Sequence, residues 1–319
     1  MHLNFINLVA SKSFAKESLP SATPETLCVN LTSGNLRHYF RLFIDYRHFV
    51  LYNLSMELGI CTATFFNVAK TEDTLELVRR YGFNVCEVFL TTFCEYESDF
   101  ARVLSDRLMG VRVHSVHDYT TSFEPMLFNP AERTRRDGEK LFEKVLSAGK
   151  ILGAQNYTFH GQSRLKKTTK YDFPLVSQRY EELALWANEY GMDLCLENVH
   201  WAINNEPCIF EIISSGAPHL KATLDIKQAR QAGVDYNEFI KVYGNRLKTV
   251  HISDFDENGN TCLPFEGTVD YEKLFKTLKD SGYDGPVLIE LYSKDYQNLN
   301  ALYAPFDRLK EIMDKVNNG

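Results

Sequence analysis

Four short apolar runs in the second half of the chain each end on a side chain that can ligate a hard or borderline metal ion. Leu194-Cys195-Leu196 ends on Glu197, Leu220-Lys221-Ala222-Thr223-Leu224 on Asp225, Leu247-Lys248-Thr249-Val250 on His251, and Pro286-Val287-Leu288-Ile289 on Glu290. A carboxylate at the end of a buried run is costly unless something pairs with it. Four ligating groups in succession, all at the same place in the run, point to one shared partner. Three converging carboxylates repel one another, and a divalent cation relieves that repulsion and holds them ionised. An oxygen-rich set with one imidazole suits Mn²⁺, Mg²⁺ or Co²⁺ best and also admits Zn²⁺. A single ion chelating a carbonyl and a neighbouring hydroxyl acidifies the C–H between them. A carboxylate on either side of that carbon can then remove and return the proton. Glu197 and Glu290 are the candidates for that acid–base pair, within the metal set Glu197, Asp225, His251 and Glu290.

Other residues at the ends of apolar runs are candidates to hold a substrate. His160 ends a run and can hydrogen-bond a substrate hydroxyl or ligate a second metal; the bland alternative is a histidine bonded to a backbone carbonyl. His114 and His117 lie three apart on one strand, so strand alternation lets only one face the mouth, and His117 is nearer the end. Glu87, mid-strand, reads as a pocket residue or a paired buried carboxylate. Trp201 can wall the pocket. Asp254 can orient His251 or touch substrate, or be a solvated turn residue. Lys227 can reach the pocket or simply start a helix. Arg164, Lys166 and Lys167 could receive a phosphate or form a solvated cluster.

These groups need a frame that brings strand ends together. From Met56 onward the pattern alternates strand and helix. Strands are expected near 58–63, 84–90, 111–117, 156–160, 192–197, 219–225, 247–252 and 286–291. Helices are expected near 71–81, 98–109, 130–152, 174–190, 206–215, 235–243, 270–281 and 300–316. The strands read as near-continuous apolar runs, as parallel strands buried on both faces do. Eight such units over about 250 residues predict an α/β fold, a single (β/α)8 TIM barrel, over 56–319. No Gly-x-Gly-x-x-Gly follows any strand, which disfavours an open dinucleotide-binding sheet. The longest irregular stretches, 118–129, 161–173 and 254–267, all follow strands and so fall on one barrel face, where such barrels keep their sites. Residues 1–55, rich in Ser, Thr, Pro and Asn before an aromatic-rich stretch, are expected to be a disordered or loosely packed N-terminal extension.

The 319 residues are 44 % hydrophobic, enough for a large core, and the formal net charge is -7. That charge disfavours nucleic acid as a partner. Seven scattered cysteines, with no Cys-x-x-Cys, suit a reducing, cytoplasmic compartment. No run approaches the roughly 18 apolar residues of a membrane helix. The apolar residues 3–10 are too short a run, and too broken by Asn, for a signal peptide. A small molecule is the expected partner, with homo-oligomerisation left open.

Taken as a set, Leu194-Cys195-Leu196-Glu197-Asn198, Leu224-Asp225, Val250-His251-Ile252-Ser253-Asp254, the loop 263–271 and Tyr283-Asp284-Gly285-Pro286-Val287-Leu288-Ile289-Glu290 resemble the xylose isomerase-like TIM-barrel superfamily. More narrowly they resemble its sugar phosphate isomerase/epimerase branch, over about 57–316. The resemblance implies one divalent metal held by Glu197, Asp225, His251 and Glu290, with the two glutamates as acid and base. It implies a sugar, keto-sugar or sugar derivative as substrate. The sugar-gripping positions of ketose 3-epimerases depart from that pattern: Gln228 stands where they carry a His, Glu257 where they carry an Arg, and Ile203 where they carry a Glu. Many relatives have Pro-Gly-x-Gly where this chain has Pro264-Phe265-Glu266-Gly267. The same superfamily offers two alternatives: a dehydratase acting on a polyol or inositol derivative, and an endonuclease IV-like zinc phosphodiesterase. The second would use His117 and His160 as well, but it lacks its zinc His at Gln228 and any further His after His251.

Overall fold

The computed structural model describes residues 55–119, 123–164 and 170–319. Eight parallel strands close into a barrel: β1 (Glu57–Cys61), β2 (Val85–Leu90), β3 (Arg112–Asp118), β4 (Asn156–Phe159), β5 (Asp193–Glu197), β6 (Lys221–Asp225), β7 (Leu247–Ile252) and β10 (Pro286–Ile289). Their order around the barrel is β1-β10-β7-β6-β5-β4-β3-β2, closed by the β1–β10 pair, in which Ile60 lies opposite Ile289. The expected barrel is therefore the observed one. The short strands β8 (Asp254–Phe255) and β9 (Thr261–Cys262) form an antiparallel hairpin in the loop after β7. The expectation for the N-terminal extension concerns residues that, Ser55 apart, lie outside those described. No described helix is long and apolar enough to cross a membrane.

Nine helices occur among the described residues: α1 (Thr71–Arg80), α2 (Ser98–Arg107), α3 (Glu132–Leu152), α4 (Phe173–Glu189), α5 (Pro207–Ser215), α6 (Ile226–Ala232), α7 (Tyr236–Tyr243), α8 (Tyr271–Asp280) and α9 (Tyr303–Asn318). Each lays an apolar stripe on the barrel. In α8, Tyr271, Leu274, Phe275 and Leu278 are buried, the spacing of one helical face. Asp270 caps that helix by accepting from Lys273 N at 3.0 Å. Gly153, at φ 74°, ends α3 in the left-handed conformation that glycine adopts freely. The expected helices match within a few residues. The addition is α6, one short helix directly after β6.

Two register shifts decide what faces the lumen. Between β2 and β3 the pairing steps from Cys86 opposite Val113 to Glu87 opposite Ser115, so His114 is an extra residue. The bulge resets strand alternation. As a result His114 reaches across the barrel, its Nε2 2.9 Å from Thr249 Oγ1 on β7, while His117 also faces the mouth. The alternation rule that allowed only one of the two inside therefore fails here. A second shift, between Ala222 and Thr223 against β7, skips Lys248.

Candidate active site

The four ligating candidates arrive together at the C-terminal rim. Glu197 and Asp225 end β5 and β6, His251 is the next-to-last residue of β7, and Glu290 follows β10. These four strands are consecutive in the barrel wall. One ligand atom from each lies within 4.8 Å of all the others, and all four residues are buried. His251 Nδ1 is 3.3 Å from Glu197 Oε1 and 3.6 Å from Glu290 Oε2. Asp225 is fixed by its own helix: its Oδ1 accepts from Lys227 N at 2.6 Å and Gln228 N at 3.3 Å, capping α6, which leaves Oδ2 for the site. Asn198 locks the two strand ends together, accepting from Asp225 N at 2.7 Å and donating to Asp225 O at 2.9 Å.

This donor set fits a divalent cation. Asp225 Oδ2 and His251 Nδ1, which face the cluster, are buried and have no well-aligned hydrogen-bond partner. Buried polar atoms are normally satisfied, so two such atoms facing each other among three carboxylates suit a shared cation. Burial and the charges of Glu290 and Glu197 push Asp225 up to about 7, with Lys227 pulling the other way. Burial also disfavours ionised Glu197, but hydrogen bonds from His160 and His251 outweigh it and hold that carboxyl well below its usual range.

The profile of the family described as xylose isomerase-like TIM barrel matches residues 75–315. The chain belongs to that family. A 75-residue stretch is 37 % identical to the L-ribulose-5-phosphate 3-epimerase UlaE of Salmonella typhimurium. That match spans 23 % of this chain and only 23 % of the relative's length. Among solved structures, D-psicose 3-epimerase from Clostridium cellulolyticum H10 superposes with TM-score 0.67 at 18 % identity, over 82 % of this chain and 99 % of that one. The IolI protein with a bound zinc atom gives the same TM-score, identity and coverage. At such identities the structural likeness speaks for the fold.

The other expected site residues of this xylose isomerase-like barrel divide into three groups. His160, Trp201, His117 and Lys227 come together around the ligand cluster. His160 Nε2 is 3.0 Å from Glu197 Oε2, and Trp201 stacks on the His160 ring at 5.8 Å between centroids. His117 lies 4.5 Å from the His160 ring. Lys227 Nζ is 2.9 Å from Glu290 Oε2. Glu87 does not line the mouth. It is fully buried beneath His251, with Oε1 3.0 Å from His251 Nε2 and Oε2 accepting from Ser115 Oγ and Thr158 Oγ1. A carboxylate there orients a ligating imidazole. Burial raises its pKa, but His251 outweighs burial and the net shift is downward. Asp254 neither touches His251 nor reaches solvent. Its carboxylate accepts from the backbone N–H of Phe255, Phe265, Gly267 and Val269, so it clasps the loop 263–269. Within that loop Phe265 adopts φ 74°, a conformation that favours glycine, and Arg308 packs over its ring at 3.9 Å.

Two groups escaped sequence reasoning. Glu124 is fully buried, and its Oε2 accepts from His160 N and Gly161 N at 2.8 Å each and lies 3.5 Å from His160 Nδ1. Asp118 sits beside it, both carboxylates accepting from Tyr157 OH. Burial and the charge of Glu124 push the Asp118 carboxyl well above its usual range. The only hint of either was Asp118 directly after His117. Gln228 takes over at the departed position by holding His200: its Oε1 accepts from His200 N at 3.2 Å.

The charge set predicts a pH response of chelator-treated protein. Burial lowers the His160 pKa, but Glu124 and Glu197 overcome this and raise it to about 10. A raised histidine contributes stability fully below its unfolded value of about 6.5 and loses it as pH climbs through the folded value. The melting temperature should therefore fall steadily between about pH 7 and pH 10, and this decline should be shallower in His160→Gln, where the raised His251 alone remains. A flat profile in the wild type would contradict the His160–Glu197 pairing.

Proposed function

We propose that this chain is a divalent-metal-dependent isomerase or epimerase of a small sugar, keto-sugar or sugar derivative. The observation that carries this reading is the placement of Glu197 and Glu290 at the two ends of the four-strand arc, with Asp225 and His251 between them. Glu197, Asp225, His251 and Glu290 would hold a divalent cation, which would polarise a carbonyl and an adjacent hydroxyl and so acidify the C–H between them. Glu197 and Glu290 then exchange the proton from opposite sides of that carbon. Each has a cationic neighbour that keeps it ionised as a base, His160 for Glu197 and Lys227 for Glu290. His117 and Trp201 flank His160 and offer an imidazole and a flat apolar face to the hydroxyl and C–H sides of a sugar. Glu87 holds His251 in orientation. The likeness to UlaE and to D-psicose 3-epimerase supports a ketose, and the zinc of IolI supports a cation in this fold.

The dehydratase alternative draws on the same residues, since a protonated His160 can also give a proton to a departing hydroxyl. One experiment separates the two. The Mn²⁺-loaded protein is incubated in D2O with a panel of ketoses, keto-sugars and their phosphates and followed by NMR and mass spectrometry. Epimerisation predicts deuterium entering one carbon with no loss of mass to water. A product lighter by one water would assign the lyase. The absence of both exchange and loss of water in every substrate with metal-loaded protein would contradict both.

A further inference from the structure

Lys227 is 2 % exposed, and its side chain lies against the ligand cluster. Its Nζ lies 2.9 Å from Glu290 Oε2 and 3.2 Å from Asp225 Oδ2, and 4.5 Å from the centroid of the Tyr292 ring. It reaches this position because Asp225 caps α6: the second residue of that helix is thrown back over the strand end that precedes it. The three carboxylates of the cluster carry three negative charges, and Lys227 neutralises one of them. The remainder matches a divalent cation, so ion, ligands and ammonium together sum to zero. A cluster without Lys227 would keep a net negative charge when loaded.

We propose that Lys227 is a permanent cationic member of the ligand cage, which holds Asp225 and Glu290 together in the metal-free protein and thereby weakens and sets the affinity for the ion. This rests on the metal site argued above. The two cations share the same carboxylates and repel each other, so the part of the Lys227 interaction that weakens when the ion binds is subtracted from metal affinity, as thermodynamic linkage requires. A lysine serving only as packing would lower stability equally with and without metal. A lysine that gripped substrate would leave both stability and metal affinity unchanged.

The test compares wild type with Lys227→Met, which keeps the apolar stem, and Lys227→Gln as a second uncharged variant. Each is freed of metal by chelator, and thermal unfolding is followed with and without Mn²⁺, alongside Mn²⁺ titration calorimetry. The expected result is a metal-free melting temperature lowered by about 5 °C or more, largely restored by Mn²⁺, with Mn²⁺ bound about tenfold tighter than by wild type. Binding by a variant but not by wild type would equally support the proposal. An unchanged or weaker affinity, a loss of stability that Mn²⁺ does not restore, or failure of both variants to fold with Mn²⁺ present would overturn it. Mn²⁺ bound by wild type with no change in the variants would sink this inference alone, whereas no binding by any of the proteins would sink the metal site with it.

Discussion

Glu290→Gln should lower turnover by about a thousandfold, within the range a positioned acid–base group contributes. Gln keeps the shape and an oxygen for the cage, and it can still accept from Lys227 Nζ, which lies 2.9 Å from Glu290 Oε2 in the wild type. It cannot take up a proton. Glu197→Gln should lose as much, for the same reason on the other side of the substrate. The two variants should differ in one informative respect. If each glutamate serves one face of the reacting carbon, each single variant can still pull a proton from one epimer and return it to the same face. In D2O, one epimer of the substrate pair should therefore exchange its proton without being converted, and the exchanging epimer should switch between the two variants. Retention of near-normal turnover in both variants would refute the acid–base assignment.

Asp225→Asn is the second large effect. The amide keeps the acceptor that caps α6, so the fold should survive with Lys227 N and Gln228 N still bonded. It removes one of three ligand charges, and Mn²⁺ affinity should fall by about a hundredfold or more. His251→Ala should do more damage. It removes the only nitrogen ligand and also strips Glu87 of its charged partner inside the barrel. Breaking a buried pair from one side costs about 3–5 kcal/mol. The first variant should thus lose metal chiefly, with a smaller loss of metal-free stability because Lys227 keeps Glu290 as a partner, and the second should lose both.

The barrel was legible because its strands are buried on both faces and therefore read as apolar runs, each punctuated by helices of period 3.6. The ligand set was legible for the same reason, since a carboxylate or imidazole stands out at the end of such a run. What stayed hidden depends on contacts distant in sequence. Glu87 looked like a pocket residue because nothing local shows that His251, far along the chain, lands on top of it. Glu124 lies in a loop with no periodic signal, and its role exists only because β4 brings His160 N and Gly161 N to its carboxylate. Asp254 reads locally as a substrate contact, a partner of His251 or a turn residue, whereas it gathers four backbone N–H groups of a loop up to 15 residues further on. The bulge at His114 inserts one residue into a strand and overturns the alternation rule without any mark in composition.

The central claim is that four strand-end residues hold one divalent cation, and its most direct test is elemental analysis of protein purified without chelator. About one Mn, Mg, Co or Zn per chain is expected for the wild type, falling to near zero in Asp225→Asn. No metal in the wild type, even after incubation with each of these ions and removal of the excess, would contradict the claim.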